Sequence, residues 1–173
     1  MKHTSLWPWA GFALTTLGGT ILHFLYDWTK GSLWVSPFSG VNESTWEHMK
    51  LLYWPLIIFA MVQWRFWRDV GGFWAIKLVG TLAGLVLIPV LFYTYNGVIG
   101  KSPEWINIVI FFVSAAIAYW HEAKTYRRGN ASCRAKKRAL AALCVIALLF
   151  VFFTFKTPTI GIFADPITGT YGR

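Results

Sequence analysis

The chain has 173 residues, of which 56% are hydrophobic and 13% charged, and a formal net charge of +9. A soluble domain of this length carries about 25% charged residues. Here the apolar residues gather in runs too long for a soluble core helix, which excludes an ordinary soluble domain and points to a protein with several membrane spans. The positive charge does not mark a nucleic-acid binder. Seven of the sixteen basic residues fall between Lys124 and Arg138, beside apolar runs, as in a cytoplasmic loop that touches anionic lipid headgroups.

Residues 1–173 read as one all-α membrane domain, a bundle of about five transmembrane helices with an irregular outer loop and an ordered C-terminal tail. The spans are predicted at about 9–26, 51–67, 73–95, 105–120 and 140–155, each near the ~20 residues that cross a bilayer core. Lys2 followed by an apolar run has the look of a signal peptide. The early Pro8 and the lack of a small-residue cleavage site instead predict an uncleaved first span. After it, residues 28–42 are rich in Gly, Ser and Pro yet include Leu33, Trp34, Val35 and Phe38, which suits a segment lying in the interface or folding back on the bundle. Pro55 opens the second span. Pro89 is expected to kink the third, where Gly80-x-x-x-Gly84 provides a close-packing face for a neighbouring helix, within the chain or across a homodimer. The tail after the fifth span has turn chemistry at Pro158, Asp165-Pro166 and Gly169, but Ile160, Ile162 and Phe163 make it too apolar to be free. Both irregular segments are therefore expected to pack together over the outer mouth of the bundle.

Trp7, Trp9, Trp28, Trp64, Trp67, Trp74, Trp105 and Trp120 sit near predicted span ends, as in an interfacial belt. Lys77, Arg65 and Arg68 read as snorkelling anchors. His121 and Glu122 read as interfacial residues beside the basic loop. With that loop inside, eleven basic residues lie inside and five outside, so both the N-terminus and the loop are cytoplasmic and the C-terminus is out, in a multi-pass protein of the inner (plasma) membrane. Cys133 and Cys144 fall at different depths and do not suggest a disulfide.

Polar residues gather on the outer side. His23 and Asp27 are four apart at the end of the first span, and Glu43 and Glu47 are four apart just before the second, so each pair shares a helix face. His48 follows about 100° around. Imidazole and carboxylate are ligands for Zn, Mn or Fe, and helix bundles build such sites from facing helices. Glu43 and Glu47 are the candidate catalytic carboxylates, and His23, Asp27 and His48 the candidate metal ligands. Asn42, Ser44, Trp46, Asp165 and Tyr171 are the candidate supporting residues. A structural alternative exists for part of this set: Ser44-x-x-Glu47 is a capping box, and acids suit a helix N-terminus.

The stretches "LHFLYDW", "SPFSGVNESTWEHMKLLYWP" and "FADPITGTYG" resemble a family of small bacterial integral membrane proteins of unknown function. That family shows an N-E-S-x-W-E-H element and a D-P-x-T-G-x-Y-G-like tail. The resemblance implies a shared outer-face site and carries no activity with it. Three functions follow from the residues. The first is a metal-dependent hydrolase acting at the outer leaflet; the second is a small transporter or channel. The third is an accessory subunit binding lipid, or haem held by His23 and His48. Partners are membrane lipids, with no nucleic acid.

Overall fold

The computed structural model describes residues 6–68, 70–100, 103–128 and 136–172, and the side chains of Glu104, Arg127 and Arg128 are left aside. Cys133 and most of the basic loop therefore lie outside the described residues. Among those described there are five α-helices: α1 (Leu6–Trp28), α2 (Thr45–Phe66), α3 (Phe73–Ile99), α4 (Glu104–Arg128) and α5 (Lys136–Phe155). A 3-10 turn, Gly161–Phe163, follows, and among the described residues no strand occurs beyond one isolated bridge between Ala164 and Tyr171.

Three of the helices are long and apolar enough to cross a membrane: α3, α4 over Trp105–Tyr126, and α5. α1 and α2 have 23 and 22 residues but do not reach that apolarity. Their sequences show why, with Gly, Thr and Trp spread along α1 and Glu47, Lys50, Gln63 and Arg65 along α2. The helices run longer than the sequence suggested, mostly at their polar ends. α2 starts at Thr45, six residues before the apolar run, because Ser44 caps it: extended at φ −68° and ψ 154°, it accepts the Glu47 amide on its side chain. Both α2 and α3 continue through their internal prolines, Pro55 and Pro89.

α3 and α4 form the most extensive helix pair, followed by α1 with α2. Glycine makes the first of these possible. A Cβ built on Gly80 would lie 2.9 Å from the Ala118 carbonyl oxygen, and one on Gly84 would lie 3.1 Å from that of Ser114. The Gly80/Gly84 face is packed within the chain, against α4. Tyr53, Leu52, Leu56, Phe73, Ile88, Ala115 and Phe150 form the fully enclosed centre. The outward faces are just as apolar: Val86, Val90, Ile108, Val109, Leu148 and Phe152 are all exposed. Soluble monomers rarely expose apolar surface on this scale.

The tryptophans divide into two groups. Trp9, Trp28, Trp105 and Trp120 point outward as an interfacial belt requires. Trp67 and Trp74 are buried, and Trp7 and Trp64 pack into the same aromatic cluster with Phe59, Phe66, Phe73 and Tyr126.

The expected snorkelling anchors also need correction at one position. Lys77 does not snorkel: its side chain is fully buried, and its Nζ donates to Glu122 Oε2 at 2.6 Å. Phe59, Phe73 and Tyr119 surround the ammonium with ring faces 5.3–5.6 Å away. Glu122 is likewise a buried partner and not an interfacial residue. Thr15, Thr16, Gln63, Thr81 and Ser114, uncharged polar residues of the helix interiors, are all buried. Thr15 pairs with the Tyr119 hydroxyl of α4 across the bundle, while Thr16 donates to the Phe12 and Ala13 carbonyls of its own helix. Gln63 Oε1, Thr81 Oγ1 and Ser114 Oγ have no hydrogen-bond partner among the described residues.

Candidate metal centre

The segment between α1 and α2 folds back onto the end of the bundle. Ser39 ties it to α1: its hydroxyl donates to the Leu22 carbonyl and accepts the Tyr26 amide. The indole of Trp54 donates to the Pro37 carbonyl. Lys50 supplies the central tie. It is fully buried and donates to Glu47 Oε2 at 2.6 Å, to the Ser36 carbonyl at 2.9 Å and to Thr154 Oγ1 at 3.0 Å. One ammonium thus joins the folded-back loop, α2 and α5. All three of its protons have acceptors, which is the condition for burying a charge without great loss.

The C-terminal tail closes the same end. Asp165 Oδ1 accepts the amides of Ile167 and Thr168, and the backbone pairs Asp165 with Thr170, forming the turn that its Asp-Pro and Gly chemistry suggests. The tail docks through Asn42, whose Nδ2 donates to the Gly172 carbonyl, and through Thr45, whose hydroxyl donates to the Ile162 carbonyl. Trp46 is wedged between Phe150, Phe153 and Phe163. The two irregular segments do pack together. Tyr171 contributes its backbone to the bridge with Ala164 while its side chain stays exposed.

This framework brings three of the five predicted chemical residues together. His23 from α1, Glu43 from the loop and His48 from α2 each offer a ligand atom, and these atoms lie within 4.8 Å of one another. Glu43 stands in the middle, with Oε1 3.6 Å from His23 Nε2 and Oε2 3.6 Å from His48 Nε2. Ligands bound tetrahedrally at about 2.0–2.1 Å sit roughly 3.3 Å apart, so each imidazole is near that spacing from a Glu43 oxygen, and the three together would draw in to hold one ion. His48 is held ready. Its Nδ1 lies 2.9 Å from the Ser44 carbonyl, which fixes the proton on Nδ1 and turns the lone pair of Nε2 towards Glu43. His48 lies in the first turn of α2, ahead of the apolar run. Burial there pushes its imidazole below the ordinary value, against the upward pull of Ser44 and Glu43. The neutral form that metals need is therefore favoured.

The other two do not join. Asp27 is exposed beyond His23. Glu47 points away into the ion pair with Lys50, and the same Oε2 accepts the Val41 amide at 2.9 Å. Only half of the capping box forms: Ser44 Oγ accepts the Glu47 amide, while the Ser44 amide goes to Asn42 Oδ1 and not to Glu47. Glu47 is thus a brace for the loop, committed to one cation and one amide. Sequence reasoning passed over Lys50 in this role. The i,i+3 spacing from Glu47 was the available signal, although Ser36 and Thr154 are visible only in three dimensions.

His23, Glu43 and His48 line a cavity of about 410 Å³. Its remaining walls are mostly apolar, with Gly19, Phe24, Leu51, Ile108, Phe111 and Phe112 among them, and Ile167 of the tail at the rim. Asn107 is a residue that the sequence gave no reason to single out. It lines the cavity from α4, and its buried Oδ1 has no hydrogen-bond partner among the described residues.

A family model matches residues 1–173 in full, that of a family of unknown function (DUF6512). No curated protein and no solved structure matches the chain.

Proposed function

The chain belongs to this family of unknown function, and from its own residues we propose that it is a multi-pass membrane protein that binds one divalent transition metal through His23, Glu43 and His48 and hydrolyses a substrate there. The convergence of two imidazoles and a carboxylate on one point of a cavity wall carries this reading. Two histidines and one glutamate are a three-ligand set that leaves a fourth position for water, the arrangement of catalytic zinc rather than structural zinc. A metal bound there would supply hydroxide at neutral pH. The chain itself holds His48 in the right tautomer through Ser44. Glu43 has two oxygens, one to hold the metal and one to take a proton from the attacking water. Asp27 and Glu47, exposed and ion-paired respectively, leave Glu43 as the one carboxylate of the set at hand.

In this reading all five helices cross the inner (plasma) membrane, with the site and tail on the outer side. The apolar outward faces of α3, α4 and α5 support the crossing, and the distribution of Lys and Arg supports the orientation.

The test is elemental analysis of purified protein after loading with zinc, manganese or iron and desalting. About one equivalent of one metal is expected in the wild type, dropping at least tenfold in His23→Ala, Glu43→Ala and His48→Ala, and unchanged in Asp27→Ala. Wild-type protein that retains no metal at all would sink the proposal.

A further inference from the structure

The metal-site cavity is bounded by groups that belong to two different surroundings. One wall is polar: His23, Glu43 and His48. Most of the remaining wall comes from α1 and α4, with Phe24, Ile108, Phe111 and Phe112. Phe24, Ile108 and Phe112 are 45%, 59% and 40% exposed. They continue the outward apolar faces of the two helices, where Ile21 and Leu17 of α1 and Val109 and Val113 of α4 are also exposed. The gap between α1 and α4 thus opens sideways, onto the surface that faces acyl chains in a membrane. Deeper in, Gly19 keeps the helices close. A Cβ on it would lie 2.9 Å from the Leu51 carbonyl and in hard contact with the Phe111 ring. The opening therefore narrows from an apolar mouth to a polar end.

A volume of about 410 Å³ is within the range of small-molecule sites and holds a large part of one acyl chain. One polar group interrupts the apolar wall of α4: Asn107, whose buried Oδ1 lacks a partner. A buried amide oxygen without a partner is costly, and a ligand that brings an O–H or N–H to it removes that cost. From the mouth inward, a matching ligand has an acyl chain, then a hydrogen-bonding group, then a carbonyl at the metal position.

We propose that the substrate is a membrane lipid that enters sideways between α1 and α4, laying one acyl chain along Phe24, Ile108 and Phe112 and placing its ester or amide carbonyl at His23, Glu43 and His48. The inference rests on the hydrolytic reading of that site for the carbonyl end; the position of the chain rests on the cavity alone. Hydrolysis adds water across the ester or amide bond, releasing a carboxylic acid and an alcohol or amine, and requires no other reactant. Asn107 acts as a positioning residue, holding the polar linkage where the trio can reach it.

The protein is reconstituted in vesicles of phosphatidylcholine and phosphatidylglycerol that contain a trace of phosphatidylcholine with a diazirine in one acyl chain. After irradiation, cross-linked residues are mapped by mass spectrometry, and metal content is measured on the same samples. The expected result is cross-linking at Phe24, Ile108 and Phe112 at least fivefold above outward residues elsewhere, such as Val86 and Leu148. Ile108→Trp fills the mouth from an exposed position and should abolish that excess while leaving metal content unchanged. Asn107→Ala should shift the cross-links outward along α1 and α4, again with metal retained; a merely structural role would lower overall folding and leave the pattern in place. Cross-links spread evenly over all lipid-facing residues and indifferent to Ile108→Trp would overturn the proposal. Metal absent with the localised cross-links intact would remove the hydrolytic reading and keep the lipid cavity, so the two failures are separate.

Discussion

Three carboxylates near one another have three different occupations, and the difference is set by what stands beside each. Glu43 lies between two imidazoles, with no lysine or arginine paired to it among the described residues, so it is available to a metal. Glu47, four residues on, has Lys50 at 2.6 Å. Asp27 is exposed to its surroundings. Spacing in the sequence treated the three alike, because i,i+4 arithmetic places a side chain on a face without saying what meets that face. The Glu47–Lys50 pair yields a prediction. Removing one member of a buried ion pair strands the other, at a cost of about 3–5 kcal/mol. Lys50→Met should lower the thermal unfolding temperature in detergent strongly. Glu47→Gln keeps an acceptor for the Val41 amide and the Lys50 ammonium, and should cost less, about 1–3 kcal/mol. Metal content should survive in Glu47→Gln. Metal loss there with an unchanged unfolding temperature would make Glu47 a ligand after all.

At the scale of the element, hydropathy located all five helices, and their ends followed from chemistry that hydropathy ignores. α2 was expected from residue 51 and begins at Thr45, because Ser44 supplies a cap and the first two turns carry Glu47, His48 and Lys50, which an apolarity scan reads as loop. The Gly80-x-x-x-Gly84 face was legible as a packing seam but not its partner, since every apolar helix is an equal candidate until the bundle closes. Its partner is α4, at a separation that leaves no room for a methyl group. Gly80→Val should therefore force α3 from α4 and cost on the order of 1–3 kcal/mol, read as a lower unfolding temperature. Gly97→Ala, also in α3 and with nothing within 4 Å of the added Cβ, should be neutral or slightly stabilising. Equal effects at the two positions would mean that the α3–α4 seam is not the tight one.

At the scale of the molecule, the orientation and the buried Lys77–Glu122 pair depend on long-range relations. The pair joins residues 45 apart on α3 and α4, and a lone lysine near a span end reads in sequence as a snorkelling anchor. Charge and partner agree only once the bundle is built. Replacing either member alone should destabilise strongly, whereas the double replacement Lys77→Met, Glu122→Leu should recover most of the loss, as buried pairs often do when both charges go. An unfolding temperature for the double variant below both singles would show that the pair does more than neutralise itself. Orientation is checked by single cysteines in a Cys133→Ser, Cys144→Ala background. In intact cells, Thr170→Cys should react with a membrane-impermeant maleimide, and Lys124→Cys should react only after the membrane is opened. The reverse pattern would invert the bundle.

Lys50 also sets an order of events in time. Two of its acceptors, Ser36 and Glu47, emerge from the ribosome close to it, but the third, Thr154, lies 104 residues later, near the end of α5. The segment that latches Asn42 and Thr45 comes later still, at Ile162 and Gly172. The loop that carries Glu43 thus gains its last supports only after α5 and the tail have been made. Chains cut before α5 should keep the loop open to protease, and under the proposed function a metal would be retained only once the tail has docked.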